Sequence, residues 1–437
     1  MVKSINLIMP KTDEDRLPLL AQSDVYPPPG LMRLASYVQK NTKAKVSVYS
    51  EGAENIPSYA YQADIVGVST TSDSHLRALN HLKKAKQYGA TTVIGGPNVS
   101  ALSYQIATNN KFIDYVVKGH GEESLVKIIL GIAKQKILYN PVDINSLPLY
   151  NFSSFKSPLV IDQKYPVPII NIEGCIKAVK EGRCGFCAIP HKGIKIRSPD
   201  KFWEQIRIIH NQTGAKYFFE VGDSFNVGNY PKILAKKRLV ELDDIGLHVY
   251  ISSNNISQIN PDFYKEKLGV KSVFIGLESF NPKIQKYIGK SWKKDLTFSI
   301  LKDFSSKGIN VIYTVMLGLP GENKKTIKKN LDGVKRLTDL LEQKKIVLSI
   351  FNPIPGSSIY RKLSNNKRVL ELYNKNGKDL SKDDIINYPE LFLAYASQFC
   401  PDLKISKLLK YFDKIKALGD SAEFSPLVHK LRNKFNL

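Results

Sequence analysis

The sequence predicts an α/β protein made of two successive parallel-sheet units closed by a helical tail. Three features predict it. Short apolar runs of strand length recur along most of the chain and end on glycine or small polar residues. Amphipathic helical stretches stand between those runs, and strands alternating with helices build parallel sheets. One long loop, Gly174 to His191, follows an apolar run and collects three of the four cysteines.

The first unit opens on VKSINLIM (2–9), a buried strand, followed by a loop carrying Tyr26-Pro27-Pro28-Pro29-Gly30. Leu31 to Lys40 places Leu31, Leu34, Ala35 and Val38 at helical spacing. Further strands are expected at Lys45–Tyr49, Asp64–Ser69, Thr91–Gly95 and Asp114–Lys118, with a helix at Ser74–Gly89. The strand ends run into Thr70, Gly95-Gly96-Pro97-Asn98 and Gly119-His120-Gly121-Glu122. A doubly wound sheet binds ligands outside the carboxyl ends of its strands. Tight βα turns also use glycine for backbone freedom alone, so no single glycine settles the point.

Residues about 131–165 read as a connector punctuated by Pro141, Pro148 and Pro158. The second unit repeats the rhythm, with strands at Val167–Ile172, Lys216–Val221, His248–Ser252, Val273–Leu277, Asn310–Leu317 and Ile346–Phe351. Six such βα units make an incomplete parallel barrel, whose working face lies at the strand carboxyl ends. Residues 361–437 read as a helical tail: Ser381 to Tyr388 is polar and turn-rich, while Leu391–Phe399 and Ile405–Leu418 are helical. Cys400 lies between those helices as a core thiol.

The chain has 437 residues, enough for two or three domains, and 43% are hydrophobic, enough for ordinary cores. Four cysteines with three clustered suit a reducing compartment and a metal site, not a disulfide scaffold. No basic-then-apolar signal segment opens the chain, and no apolar run is long enough to span a bilayer, so a cytoplasmic protein is expected. The formal charge of +24 would suit a polyanion partner. Lysines are spread over the whole chain, however, on presumed exposed helix faces such as Lys83, Lys84 and Lys86, and a nucleic-acid partner is not expected.

Cys184 and Cys187 are two residues apart, and Cys175 stands eight residues upstream of Cys184. Three thiolates on one loop bind soft metals. With Cys400 or His191 they would make a four-ligand structural zinc site. Without a fourth protein ligand they would suit a [4Fe–4S] cluster with one iron open. They could also be three unrelated buried thiols, and C-x-x-C alone does not decide.

CGFC followed by Arg197-Ser198-Pro199 and a helix resembles the cluster loop of radical S-adenosylmethionine (SAM) enzymes. The usual spacing there is C-x3-C-x2-C; this chain has C-x8-C-x2-C, with the insertion Ile176 to Arg183. FIGLESFN, VMLGLPGE and NPIPGSSIY resemble the barrel of such enzymes in the right order, which favours the cluster over zinc. PPPGLMRLASY, GVSTT, VIGGPN and VVKGHGEES resemble the cobalamin-binding domain that precedes many of these barrels. The base-off D-x-H-x-x-G motif is absent; Asp73-Ser74-His75 follows the third strand, and His75 reads as a helix-cap neighbour.

The resemblance implies a Rossmann-like cobalamin-binding domain (1–135), a linker (136–165), a partial (β/α)6 TIM-like radical SAM barrel (166–360) and a C-terminal helical region (361–437). It implies cluster ligation by Cys175, Cys184 and Cys187. SAM contacts would come from Phe186, Gly222, Asp223, Ser252, Asn254, Glu278, Gly318 and Pro320. Corrin contacts would come from Pro29, Gly30, Ser69, Thr70, Gly95, Gly96, Pro97, Gly119 and Glu122. No residue is assigned to proton transfer. The implied chemistry is reductive SAM cleavage and radical methyl transfer to an unactivated carbon of a small molecule or peptide. The alternatives are radical rearrangement, cyclisation or oxidation, and, from another class, a basic RNA-modifying protein. An electron donor such as flavodoxin or ferredoxin and a monomeric state complete the expectation.

Overall fold

The computed structural model describes residues 3–12, 26–159, 161, 165–190, 193–290, 292–375, 377, 379, 389–423 and 426–436. His191 and the turn-rich stretch Ser381 to Tyr388 lie outside the described residues. The strands are β1 (Ser4–Met9), β2 (Lys45–Ser50), β3 (Ile65–Ser69), β4 (Thr91–Gly95), β5 (Tyr115–Val117) and β6 (Ile137–Leu138) in the first sheet. They run in the order β2-β1-β3-β4-β5-β6, with every pairing parallel. Ile5 pairs with Val46 on one side and Ile65 on the other. Strands buried on both faces read as continuous apolar runs, as IVGVS and TTVIG do.

The chain reverses its direction of travel between β1 and β3, which makes their carboxyl ends the switch point where such sheets leave a crevice. β6 arises inside the stretch that reads as a connector; two residues at a sheet edge leave no periodic signal.

The second sheet takes β7 (Val167–Ile169), β10 (Tyr217–Glu220), β11 (Gly246–Ile251), β12 (Val270–Glu278), β13 (Asn310–Leu317), β14 (Lys344–Ile350) and β15 (Ser421–Glu423). Its order is β15-β14-β13-β12-β11-β10-β7, again all parallel, so it is an open barrel read in chain order. The six expected strands are present. A seventh, β15, comes from the region expected to be wholly helical, where three residues are too short to show a period.

The expected run Val167–Ile172 is also two strands. β8 (Ile172–Glu173) leaves the barrel and pairs antiparallel with β9 (Lys195–Ile196). That small ribbon pinches the base of the cysteine loop. The tail helix Pro389–Phe399 lies against the carboxyl end of β13, where Phe392 touches Gly318 and Tyr395 donates its hydroxyl to the Gly318 carbonyl at 3.1 Å.

One apolar core runs from helix Pro29–Asn41 and one face of the first sheet, through Tyr150 and Phe152 of the connector, into the barrel. The other face of the first sheet has its own core around Ile8, Val66, Leu82 and Ile94. Arg197 pins the connector: it is 1% exposed, and its guanidinium donates to the carbonyls of Leu147 (2.9 Å) and Pro148 (3.2 Å). Gln205 adds bonds to both backbone groups of Tyr150. Arg197→Met keeps the bulk but leaves two buried carbonyls unpaired. It is expected to lower unfolding free energy by about 1–3 kcal/mol, read by urea denaturation.

Candidate active site

The carboxyl ends of the two sheets face one another across a cavity of about 580 Å³. From the first sheet come Gly30, Ser69, Gly95, Gly96, Pro97, Gly119 and Glu122; from the barrel come Ile170, Gly222, Asp223, Ile354 and Pro355. Ala188, Ile189 and Pro190, which directly follow Cys187, also line it. The glycines serve the cavity chiefly by letting its wall turn tightly. Gly96 has φ +107°, and a Cβ there would stand 2.5 Å from the Thr70 carbonyl oxygen. Pro29 and Thr70 lie behind the wall: Pro29 starts the first helix, and Thr70 is buried with its N–H on the Gly95 carbonyl at 2.9 Å.

The polar lining is a buried network between the two domains. Arg33 donates to Glu122 at 2.9 Å in its own domain and to Glu173 of β8 at 3.2 Å. His120 Nε2 lies 2.8 Å from the second oxygen of Glu173. All four residues are at most 8% exposed. Burial works against the Arg33 charge, but the two carboxylates outweigh it and hold its pKa above the ordinary value. Two acceptors, Asn98 Oδ1 and Glu122 Oε2, are buried on this lining without a partner among the described residues. His75 is buried at the start of helix His75–Gln87 and holds the other end of the Asn98 amide through Nδ1, at 3.2 Å.

Above the barrel the cysteine loop is tied at three points. Gly174, with φ +91°, donates its N–H to Asp223 at 2.5 Å. Gly185 donates to the Ile288 carbonyl at 2.7 Å and accepts from the Ile359 N–H at 3.0 Å. The insertion Ile176 to Arg183 forms a short helix, Ile176–Lys180, closed by Lys177 Nζ on the Gly182 carbonyl at 2.7 Å. All three loop thiols are free and half-buried. Burial pushes the Cys184 and Cys187 thiols up, while Lys290 and Lys177 pull Cys184 back down.

Among the described residues no three His, Cys, Asp or Glu side chains converge as a single metal ion would need. Cys175, Cys184 and Cys187 nonetheless lie within electrostatic reach of one another. Cys400 is elsewhere: it is 1% exposed, its Sγ donates to the Leu319 carbonyl at 3.1 Å, and burial pushes it up to about 12.

The remaining expected SAM contacts sit at the ends of other barrel strands and do not line the interdomain cavity. Glu278 ends β12 at a register shift, with φ +63°. A bulge re-aims the side chain, and the left-handed backbone costs about 1–3 kcal/mol. The buried ion pair to Lys290 (3.0 Å) and the Thr314 hydroxyl (2.8 Å) hold it there. Burial opposes the Lys290 charge, yet Glu278 and then Cys184 keep its pKa above the ordinary value. Lys290 Nζ also lies 5.7 Å from the centre of the Phe186 ring, so Phe186 and Glu278 meet through this lysine. Ser252 bonds through its backbone to the Asn226 amide, and half-buried Asn254 follows in the same turn. Gly318 donates to Glu322 at 2.6 Å, and Pro320 is buried two residues on.

Buried Arg33, His120 and Glu173 and partly buried Lys290 are residues that the sequence did not mark, and so is Glu220, buried beneath this face at the end of β10. Its Oε1 accepts from Gly222 (2.9 Å), Asn171 (3.0 Å) and Ile172 (3.3 Å). Burial raises its pKa to about 8 against those donors.

Residues 181–333 match the radical SAM superfamily. An uncharacterised methyltransferase of Pyrococcus horikoshii is 22% identical over 406 residues, covering 85% of each chain. The bacteriochlorophyllide d C-8(2)-methyltransferase of Chlorobaculum tepidum is 21% identical, covering 68% of this chain and 67% of its own. Among solved structures, the radical SAM methyltransferase TsrM of Kitasatospora setae, with cobalamin and a [4Fe–4S] cluster bound, superposes with a TM-score of 0.62 at 16% identity over 86% of this chain and 79% of its own. The cobalamin-dependent SAM radical enzyme OxsB superposes with a TM-score of 0.60 at 16% identity over 84% of this chain; the match spans 56% of OxsB.

Two outcomes follow from the buried charges. Arg33→Met strands two buried carboxylates and is expected to cost about 3–5 kcal/mol in urea denaturation. Glu220 keeps its proton in the fold to about pH 8, whereas the unfolded carboxyl loses it near its ordinary 4.5. The folded state therefore holds the extra proton between those values, and stability from this group falls as pH rises through them. Glu322, raised to about 8 by burial, acts in the same direction. Glu220→Gln removes one of the two contributions. Relative to the unsubstituted chain, its urea midpoint is expected to rise as pH goes from about 5 to about 8.

Proposed function

We propose that this chain, a radical SAM enzyme, carries a [4Fe–4S] cluster on Cys175, Cys184 and Cys187, holds cobalamin between its two domains, and methylates an unactivated carbon of a small molecule or peptide. The observation that carries the reading is the shared cavity. It opens at the carboxyl ends of both sheets and takes in the tail of the cysteine loop, so a ligand of the first domain meets the barrel's working face.

The lining fits a corrin. Bare glycines at Gly30, Gly95, Gly96 and Gly119 let a flat macrocycle approach the backbone, and the walls are mostly apolar. The corrin rim carries amide side chains, whose N–H groups would satisfy the orphaned acceptors Asn98 Oδ1 and Glu122 Oε2. The cysteine loop fits a cluster with one open iron, since three thiols are offered and Cys400 is occupied elsewhere.

When bound, the cluster would supply the electron that breaks a carbon–sulfur bond of SAM and cobalamin would carry the methyl group. The chain does the positioning. Asp223 fixes Gly174 and thereby the approach to Cys175. Phe186 offers its ring to the adenine, with Lys290 behind it and Glu278 held by Lys290 and Thr314 at the rim. Gly222, Ser252, Asn254, Gly318 and Pro320 bring backbone and short side chains to the same face from successive strand ends. The Arg33 network ties the two domains together beside the cavity.

Both curated relatives are named methyltransferases, as is TsrM, which supports methyl transfer. OxsB is named only as a radical enzyme, and this favours a second reading, in which the same radical drives rearrangement, cyclisation or oxidation.

The test is anaerobic reconstitution with iron, sulfide and hydroxocobalamin, followed by metal analysis. Roughly four irons and stoichiometric cobalt per chain are expected. Cys184→Ala should lose iron and keep cobalt; Gly30→Phe, which adds a ring on the cavity lining where a Cβ meets no atom within 4 Å, should do the reverse. Iron without cobalt leaves the second reading, and zinc without iron overturns both.

A further inference from the structure

A cluster that cleaves SAM must be reloaded with one electron each cycle. The rim around the cysteine loop shows where the electron enters. Three segments meet there: the insertion 176–183, helix Pro282–Tyr287 and helix Ser358–Ser364. They are joined through Gly185, which donates to Ile288 and accepts from Ile359, and through Lys362, whose Nζ lies 5.7 Å from the Tyr287 ring centre.

On these segments Lys180, Arg183, Lys283, Lys286, Arg361 and Lys362 are exposed, against one exposed carboxylate, Glu181. The whole chain has 64 cations to 40 anions, so the rim is far more one-sided than composition alone makes it. No carboxylate pairs with Lys283, Lys286, Arg361 or Lys362 among the described residues. Apolar surface stands among the charges: Val179 is 54% exposed and Tyr287 is 48% exposed. Exposed Arg183 directly precedes the half-buried Cys184, so this surface borders the cysteine loop itself.

We propose that this rim is the docking surface for an acidic one-electron carrier protein, resting on the cluster reading above. One electron leaves the reduced carrier and enters the cluster; no bond forms or breaks and no proton moves. The charge complementarity steers the encounter and makes it sensitive to salt. Val179 and Tyr287 give the docked carrier an apolar contact once water is displaced.

The test uses the full chain with its cluster reconstituted and an acidic flavodoxin as probe. A rim variant combines Lys286→Glu, Arg361→Glu and Lys362→Glu. A control of equal charge change combines Lys328→Glu, Lys329→Glu and Lys335→Glu on the barrel's outer helix Lys324–Leu340. Flavin fluorescence reads binding at low and high salt, and deoxyadenosine release reads SAM cleavage driven by flavodoxin or by dithionite. The rim variant should bind flavodoxin roughly tenfold more weakly at low salt, with the difference vanishing at high salt. The control should bind as the unsubstituted chain does, and dithionite-driven cleavage should be equal in all three. Equal binding by rim and control variants, or no flavodoxin binding by the unsubstituted chain at low salt, overturns the proposal. Absence of dithionite-driven cleavage overturns the cluster reading instead, while the binding comparison still reads the surface.

Discussion

Arg33 joins the two halves of the molecule. Its guanidinium leaves a helix of the first domain and reaches Glu122 of that domain and Glu173 of the second. Charges this buried are tolerable only when paired. A shift of one domain against the other would separate Arg33 from one carboxylate and leave that carboxylate uncompensated in a low-dielectric site. The width of the cavity is therefore set by an electrostatic penalty as well as by packing. Glu173 stands two residues before Cys175, so the same contact fixes the root of the cysteine loop. Domain spacing and loop placement thus depend on one group of side chains.

Around that joint the strand ends divide the work. The first sheet contributes backbone: its glycine turns line the cavity, and at Gly96 the turn leaves no room for a Cβ against Thr70. The barrel contributes side chains held in unusual poses. Glu278 is the clearest of these, because a left-handed glutamate at a bulge persists only where its surroundings over-determine it. Gly276 is part of that determination; a Cβ there would stand 2.5 Å from the Glu278 carboxylate. The strain, the ion pair and the bare glycine form one local device, and it stands beside Phe186 in the middle of CGFC.

The longer strands and their parallel arrangement were legible because each carries an apolar run that local spacing reveals; their order in the first sheet was not. The glycine turns were legible for the same reason, and they do line the cavity. What escaped was whatever depends on a distant partner. Arg33 lies off the apolar face of its helix and reads as a surface cation; only Glu173, 140 residues away, makes it internal. Lys290 shows no local signal, because its partner Glu278 meets it across a turn. β6, β15 and the β8–β9 ribbon are two or three residues long, below the length at which alternation can be seen. Glu220 falls within an expected strand, and only the chain after β7, whose Asn171 and Ile172 N–H groups bind its carboxyl, makes it internal.

The wide interval between Cys175 and Cys184 shows that spacing in sequence is not spacing in space. An insertion of five extra residues over the usual three would carry the first thiol away if the added chain were extended. Here it coils instead. The inserted residues make a helical turn, Lys177 folds back to the Gly182 carbonyl, and Gly182 takes the left-handed backbone that closes the turn. The ends of the insertion are drawn together, and Cys175 stays within electrostatic reach of Cys184 and Cys187. The added residues then project as exposed surface, with Val179, Lys180 and Arg183 outermost. The insertion keeps Cys175 within electrostatic reach of the other two thiols and changes what the cysteine loop presents to the outside.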